Sequence, residues 1–273
     1  GHMAVAFREI EKIQKNIDIL IHVLDARMPF SSINPKLIQV FQKAIQDSEK
    51  RIQAIEQDEK EGVQKFSLDN KIVISNIRSS IYRYQKEIMI ATYTAGYSIE
   101  YFKREYIKYV KSLQISWQGN SGYEQMVWAL SIGILLDIDE DMFNQLVDLV
   151  KKDDPEDYLI DYLIQYRRPE WKIRLNYNFP KPYGFTRKII EEEDSEQALK
   201  LLREYVTKRW YQGSRDTGWY NLHQTNNRSY YGYWSFESGA LCKIKGLDYK
   251  ELEGLPYFPY DLVADGETEE SVS

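Results

Sequence analysis

The sequence has a single cysteine, Cys242, and three histidines in 273 residues. One thiol excludes an internal disulfide, as expected of a protein from a reducing compartment. His22, His223 and Cys242 are scattered without the spacing of metal ligands, so we expect no metal site and no cofactor. His2 belongs to the opening Gly1-His2-Met3, which has the pattern of a cloning scar.

Long apolar runs are also lacking, and none approaches the roughly 20 residues that a membrane span needs. No charged-then-apolar leader ends in a small-residue cleavage site. The formal net charge of −6 makes the chain a poor candidate for gripping a nucleic-acid backbone and favours a basic partner or none. We therefore expect a cytoplasmic protein that contacts neither membranes nor nucleic acid directly.

What the sequence does contain is helical periodicity, with apolar side chains at three- and four-residue steps. The first such run extends from Phe7 to Leu24. Further helices are predicted to begin near Asn34-Pro35, Asp69, Ser98, Tyr123, Asp139, Pro155 with Asp154 as its cap, Thr186, Ser195 and Tyr230. Apart from the ambiguous Lys71 to Ser75, no strand pattern is found. The predicted fold class is all-α, with two packed helical domains and no significant sheet.

Composition predicts the domain boundaries. An N-terminal helical domain is expected over 4–166, followed by a connector rich in proline, arginine and lysine over 167–183. A C-terminal helical domain is expected over 184–263. The acidic, serine-rich end over 264–273 is predicted to be disordered.

The stretch from Tyr230 to Gly246 combines aromatic residues, one carboxylate and the cysteine, and we predict that it forms one helix. Small residues then share one stripe, formed by Gly232, Ser235, Gly239, Cys242 and Gly246. Tyr231, Ser238 and Lys245 are left to face water. Cys242 is expected to be a buried, unreactive thiol.

Glu237 falls between Trp234 and Leu241 on the bulky apolar face of this predicted helix. A carboxylate there must be paired, hydrogen-bonded or protonated. The favoured interpretation is a structural carboxylate tied to an arginine, a tyrosine hydroxyl or a loop amide. The candidate partners are Arg215, Arg228 and Tyr220. The alternative is an all-helical carbohydrate-active enzyme, in which carboxylates such as Glu237 and Asp216 perform acid–base catalysis.

Acidic residues are concentrated between Asp137 and Asp161 and again at 191–194. Solvated helix faces are the ordinary interpretation of such blocks. A sharper hypothesis is that they steer a basic partner, such as a DNA-binding groove on another protein. The residues of this hypothetical contact surface are Asp153, Asp154, Glu156, Asp157, Glu191, Glu192, Glu193 and Asp194.

A short peptide from Asp25 to Pro35 resembles the Asp-Ala-Arg-x-Pro element of circularly permuted ribosome-assembly GTPases. The phosphate loop and the Asn-Lys-x-Asp guanine reader of those proteins are absent from this sequence. We therefore expect no nucleotide function.

Several motifs together resemble the PoNi immunity proteins. In the first half, from about residue 70, these are Ile90 to Ser98, Val127 to Ser131 and Asp157 to Asp161. In the second half the signature residues are Arg215, Trp219, Tyr231, Gly232, Tyr233, Trp234, Ser235, Phe236, Glu237 and Tyr260. The resemblance implies a two-domain helical protein that is not an enzyme. It also implies an antitoxin that binds a cognate PoNe-type DNase, secreted in competition between bacteria, and occludes the active site or DNA groove of that toxin.

Overall fold

The computed structural model describes residues 35–119, 121–224 and 230–270. The chain divides into two compact units. The described parts of unit 1 are residues 35–117, 221–224 and 230–232, and those of unit 2 are residues 118–119, 121–220 and 233–270. These units differ from the predicted domains, because the connector expected at 167–183 lies inside unit 2. The predicted helix from Phe7 to Leu24 and the peptide from Asp25 to Asn34 lie outside the described residues.

The described part of unit 1 contains three long helices: α1 (Pro35–Lys60), α2 (Asn70–Thr94) and α3 (Ile99–Ser116). Helix α2 packs against both of the others. The Ser98 side chain accepts a hydrogen bond from the amide of Tyr101, which confirms its predicted role as the N-cap of α3. The ambiguous residues 71–75 are helical, because they form the start of α2.

Unit 2 is built around the buried helix α4 (Tyr123–Leu135). The helices that follow are α5 (Glu140–Asp153), α6 (Tyr158–Gln165), α7 (Pro180–Tyr183), α8 (Thr186–Glu191), α9 (Ser195–Glu204), α10 (Trp210–Gly213), α11 (Phe236–Ile244) and α12 (Tyr260–Glu270). A π-helical turn, Tyr205–Arg209, joins α9 to α10, and a 3₁₀ turn, Tyr249–Leu252, precedes α12. Helix α4 packs against α5, α6, α11 and α12. The described residues contain no strand, so the predicted all-α class is confirmed.

Helix α6 begins later than predicted. Asp154 was expected to be its N-cap, but this residue has left-handed backbone angles, with φ of 38°, and ends α5 instead. The N-cap is Asp157, whose carboxylate accepts hydrogen bonds from the amides of Leu159 and Ile160. The prediction failed because two capping residues three positions apart flank the same proline.

The single helix predicted from Tyr230 to Gly246 is also wrong, because α11 begins only at Phe236. Gly232 has φ of 116°, which a glycine tolerates but an α-helix does not. The amide of Ser235 donates to the carbonyl of Tyr257 rather than to a helical partner. Tyr231 and Ser238, expected to face water, are both buried.

The chain end is helical where disorder was predicted. Helix α12 runs to Glu270, since Leu262 and Val263 are buried and fix its first turn in the core of unit 2. Residues 271–273 lie outside the described part of the chain. Within the described ranges, no helix has the length and apolar character that crossing a membrane requires.

Candidate functional site

Glu237 lies in the first turn of α11 and is fully buried. Its Oε1 atom accepts hydrogen bonds from the Tyr205 hydroxyl at 2.7 Å and from Ser235 Oγ at 2.8 Å. Its Oε2 atom has no hydrogen-bond partner among the described residues. Burial raises the pKa of Glu237 to about 7, although the hydrogen bonds from Tyr205 and Ser235 oppose this rise. The protonated form of Glu237 is therefore populated near neutral pH, unlike that of an exposed glutamate.

The partners of Glu237 are only partly those that the sequence predicted. A tyrosine hydroxyl is indeed present, but it belongs to Tyr205 rather than Tyr220. Arg215 is exposed, and Arg228 lies outside the described residues. Ser235 was not predicted as a partner, because the assumed helix from Tyr230 placed it on another face.

A second carboxylate, Glu124 on α4, is similarly surrounded by aromatic donors. Glu124 accepts hydrogen bonds from Trp219 Nε1 at 2.7 Å and from the Tyr183 hydroxyl at 3.2 Å. Trp219 belongs to the predicted signature and also stacks on Trp210, with ring centroids 5.1 Å apart. The signature residues of unit 2 that are buried thus form packing and hydrogen-bond contacts.

Cys242 is buried in α11, and its thiol lies 3.7 Å from the carbonyl oxygen of Leu247. Burial raises the pKa of the thiol to about 12, which keeps it protonated and unreactive at neutral pH. Among the described residues there is no cluster of histidine, cysteine and carboxylate side chains that could hold a metal ion.

The first acidic block predicted as a contact surface lies at the end of α5 and the start of α6. Asp153, Asp154 and Glu156 are exposed. The Asp153 carboxylate accepts from the amide of Gly119 at 2.9 Å, and the Asp154 carboxylate pairs with Arg174.

Asp157 does not belong on this surface, because its side chain is fully buried. Besides capping α6, its carboxylate accepts from the Tyr123 hydroxyl at 3.0 Å and from the amide of Asn178 at 3.0 Å. Burial raises the pKa of Asp157, while the amide of Asn178 lowers it. The prediction that Asp157 contacts a partner is therefore corrected, and its role is structural.

The second acidic block follows α8. Glu191, Glu193 and Asp194 are exposed, Glu192 is half-buried, and the Asp194 carboxylate caps α9 by accepting from the amide of Gln197. Lys245 was predicted to face water. Its ammonium group instead donates to the carbonyls of Ile190 and Glu192 at 3.0 and 2.9 Å. Lys245 thus fixes the backbone of this block, while Glu191, Glu193 and Asp194 remain exposed.

Tyr158 links the two acidic blocks. It directly follows Asp157, and its hydroxyl donates to Glu191 Oε1 at 3.4 Å. The Arg187 guanidinium lies 5.4 Å above the Tyr158 ring and pairs with Glu191 at 2.7 Å. Tyr158, which directly follows the first block, therefore contacts the second block more than thirty positions further along the chain.

Asp161 is a further buried carboxylate, which the sequence prediction overlooked. It accepts hydrogen bonds from Trp171 Nε1 and from both the backbone and the guanidinium of Arg174, each at 2.9 Å. The local pattern is mixed, since Tyr158 and Ile164 at helical spacing are apolar whereas Asp157 and Gln165 are polar, so periodicity did not indicate the burial of Asp161 as it did for Glu237.

Comparison with a solved structure identifies the fold class. The fold is similar to that of the crystal structure of protein PA2201 from Pseudomonas aeruginosa, with a TM-score of 0.60 and 17% identity over 96% of this chain and 98% of that one. At this identity the likeness concerns the helical fold alone. No curated protein matches the chain.

The family follows from two sequence models that match in order. The model for the N-terminal part of the PoNe immunity proteins (PoNi) matches residues 29–148, and the model for their C-terminal part matches residues 155–262. This chain belongs to the PoNe immunity protein family, as the resemblance predicted. The N-terminal match begins earlier than the expected residue 70, because the motifs that indicated the family start only at Ile90.

Membership identifies the chain as an immunity protein against a nuclease toxin, not an enzyme. The carbohydrate-enzyme alternative is therefore wrong. Consistently, the hydroxyls of Tyr205 and Ser235 occupy one oxygen of Glu237, and Asp216 is an exposed loop residue.

Proposed function

We propose that this protein neutralises its cognate PoNe nuclease toxin by direct binding, and that the two acidic blocks of unit 2 face the basic surface with which the toxin holds DNA. The complex would cover the DNA groove or the active site of the toxin. The observation that supports this proposal most strongly is the contact of Tyr158, the residue after the first block, with Glu191 of the second block.

The charges suit this role. Asp153, Asp154 and Glu156 in one block, and Glu191, Glu193 and Asp194 in the other, are exposed carboxylates. A nuclease must attract a polyanion, so its substrate groove is expected to be basic. Concentrated negative charge attracts such a basic surface and raises the rate at which the two proteins associate. Salt screens this attraction.

Charge reversal tests the proposal. One variant carries Asp153→Lys, Asp154→Lys and Glu156→Lys, and a second carries Glu191→Lys, Glu192→Lys and Glu193→Lys. Asp194 is retained because it caps α9. A control with the same change in net charge carries Glu49→Lys, Glu61→Lys and Glu100→Lys at exposed positions of unit 1.

The measurement is the association rate with a catalytically inactivated PoNe nuclease domain at low and high salt, together with the protection of DNA from the active toxin. Both unit 2 variants should associate more slowly than the control variant, most clearly at low salt, and should protect less well. If all three variants behave alike, the acidic blocks are not the contact surface.

A further inference from the structure

The connector that follows α6 presents apolar side chains to water. Leu175 is 65% exposed and Phe179 is 46% exposed, in a segment without regular secondary structure. Isolated exposed apolar residues are common on protein surfaces. This segment differs because its backbone is held in place by buried carboxylates.

Two residues of the connector are bound on either side of Leu175. The amide of Arg174 donates to Asp161 at 2.9 Å, and the carbonyl of Asn176 accepts from the amide of Tyr158 at 2.7 Å. Asn178 is then held by the carboxylate of Asp157. Leu175 therefore lies on a fixed backbone. This reduces the conformational entropy that the segment loses when a partner binds.

Negative charge exceeds positive charge next to Leu175. The Arg174 guanidinium is the common ion-pair partner of three carboxylates, those of Asp154, Glu156 and Asp161. Within this ion-pair cluster the carboxylates outnumber the guanidinium by two. Asp154 and Glu156 are exposed, so this excess reaches the surface.

We propose that Leu175 is the apolar anchor of the toxin interface, which we call the connector anchor, with Phe179 adding apolar contact four residues along. Interfaces typically combine a desolvated apolar centre with a polar rim, and a few anchors dominate their binding energy. Here the rim is acidic, so the matching toxin surface is an apolar depression bordered by lysine or arginine. This inference rests on the proposed function and assigns a role to a segment outside the two acidic blocks.

The test compares Leu175→Ala with Ile115→Ala, because Ile115 on α3 is also 65% exposed. Both substitutions remove an exposed aliphatic side chain, and neither creates a buried cavity. Affinity for a catalytically inactivated PoNe nuclease domain is measured for the full chain and both variants. Leu175→Ala should weaken binding at least about five-fold, whereas Ile115→Ala should leave it unchanged. Leu175→Lys should weaken binding further, because it places a positive charge against a basic surface.

If Leu175→Ala and Leu175→Lys bind as tightly as the unchanged protein, the connector anchor is wrong while the proposed function stands. Equal losses for Leu175→Ala and Ile115→Ala would likewise refute a specific role for Leu175. If the unchanged protein itself does not bind the toxin, the proposed function fails, and this inference fails with it.

Discussion

The Tyr205 hydroxyl donates a 2.7 Å hydrogen bond to the buried carboxylate of Glu237, whose other oxygen has no partner among the described residues. Tyr205 belongs to the π-helical turn after α9, and Glu237 lies at the start of α11. A buried carboxylate is costly when ionised, and one unsatisfied oxygen increases that cost. This single pair therefore makes the stability of unit 2 dependent on pH.

We expect Glu237→Gln to remove that dependence. The folded-state pKa of about 7 lies above the ordinary value of 4.5, so between these values the folded chain binds a proton that the unfolded chain has released. The stability contributed by this group is therefore complete below about pH 4.5 and decreases as the pH rises toward 7. The loss has a ceiling of about 3 kcal/mol. Glutamine resembles the protonated acid in shape and charge.

Urea unfolding at pH 5 and pH 8 provides the measurement. The variant should match the unchanged protein at pH 5 and exceed it in stability at pH 8. Other titrating groups are common to both proteins and cancel in the comparison. Identical pH dependence in the two would show that Glu237 keeps the same charge throughout this range. Neutralisation of the toxin should be unaffected, since the role of Glu237 is structural.

A second prediction concerns the donor. Tyr205→Phe removes one of the two hydroxyls that stabilise the ionised form of Glu237, so the pKa of Glu237 should rise further above 4.5. The variant should lose about 1–3 kcal/mol of unfolding free energy, and more at pH 8 than at pH 5. In the Glu237→Gln background this additional pH dependence should vanish. If the additional pH dependence persisted in the Glu237→Gln background, it would have to arise from a group other than Glu237.

A third prediction separates two carboxylates that bind the same guanidinium. Asp161 is fully buried and accepts three hydrogen bonds from Arg174, whereas Asp154 is half exposed. Asp161→Asn should destabilise the protein by about 2–4 kcal/mol, because it leaves donors unpaired in a dry site. Asp154→Asn should cost less than about 1 kcal/mol. The denaturant midpoints of the two variants measure these losses. Equal losses of unfolding free energy would contradict this account of Asp161.

Helix positions were largely predictable, since long helices such as α2, α3 and α4 are specified by local periodicity and by a cap such as Ser98. The errors occurred where tertiary contacts override local preference. Ser235 bonds to Tyr257, more than twenty residues away, and this contact shortens the predicted helix at Tyr230. Likewise, the buried side chains of Leu262 and Val263 keep an acidic chain end helical.

Part of the candidate site was also accessible from sequence. The burial of Glu237 followed from its apolar neighbours, and so did the need for a polar partner. Its particular partner, Tyr205, did not, because a contact over 32 positions leaves no local signal. Of the eight acidic residues predicted to form a contact surface, six are exposed, Glu192 is half-buried, and Asp157 is buried because its capping role hides it from solvent.

The packing of α11 yields a final prediction, at Gly239. A Cβ atom added there would lie 2.7 Å from Cγ of Pro259 and 3.1 Å from Cδ1 of Leu135, closer than packed carbon atoms approach. The proline ring cannot rotate away, so Gly239→Ala should destabilise the protein by about 1–2 kcal/mol, even though alanine favours a helix. Gly218→Ala is the matched control, because nothing lies within 4 Å of its added Cβ. Its free energy of unfolding should stay within about 0.5 kcal/mol of that of the unchanged protein. Thermal unfolding distinguishes the two variants. A Gly239→Ala variant as stable as the control would mean that α11 and its neighbours can separate freely, contrary to the close approach that small residues in this helix indicate.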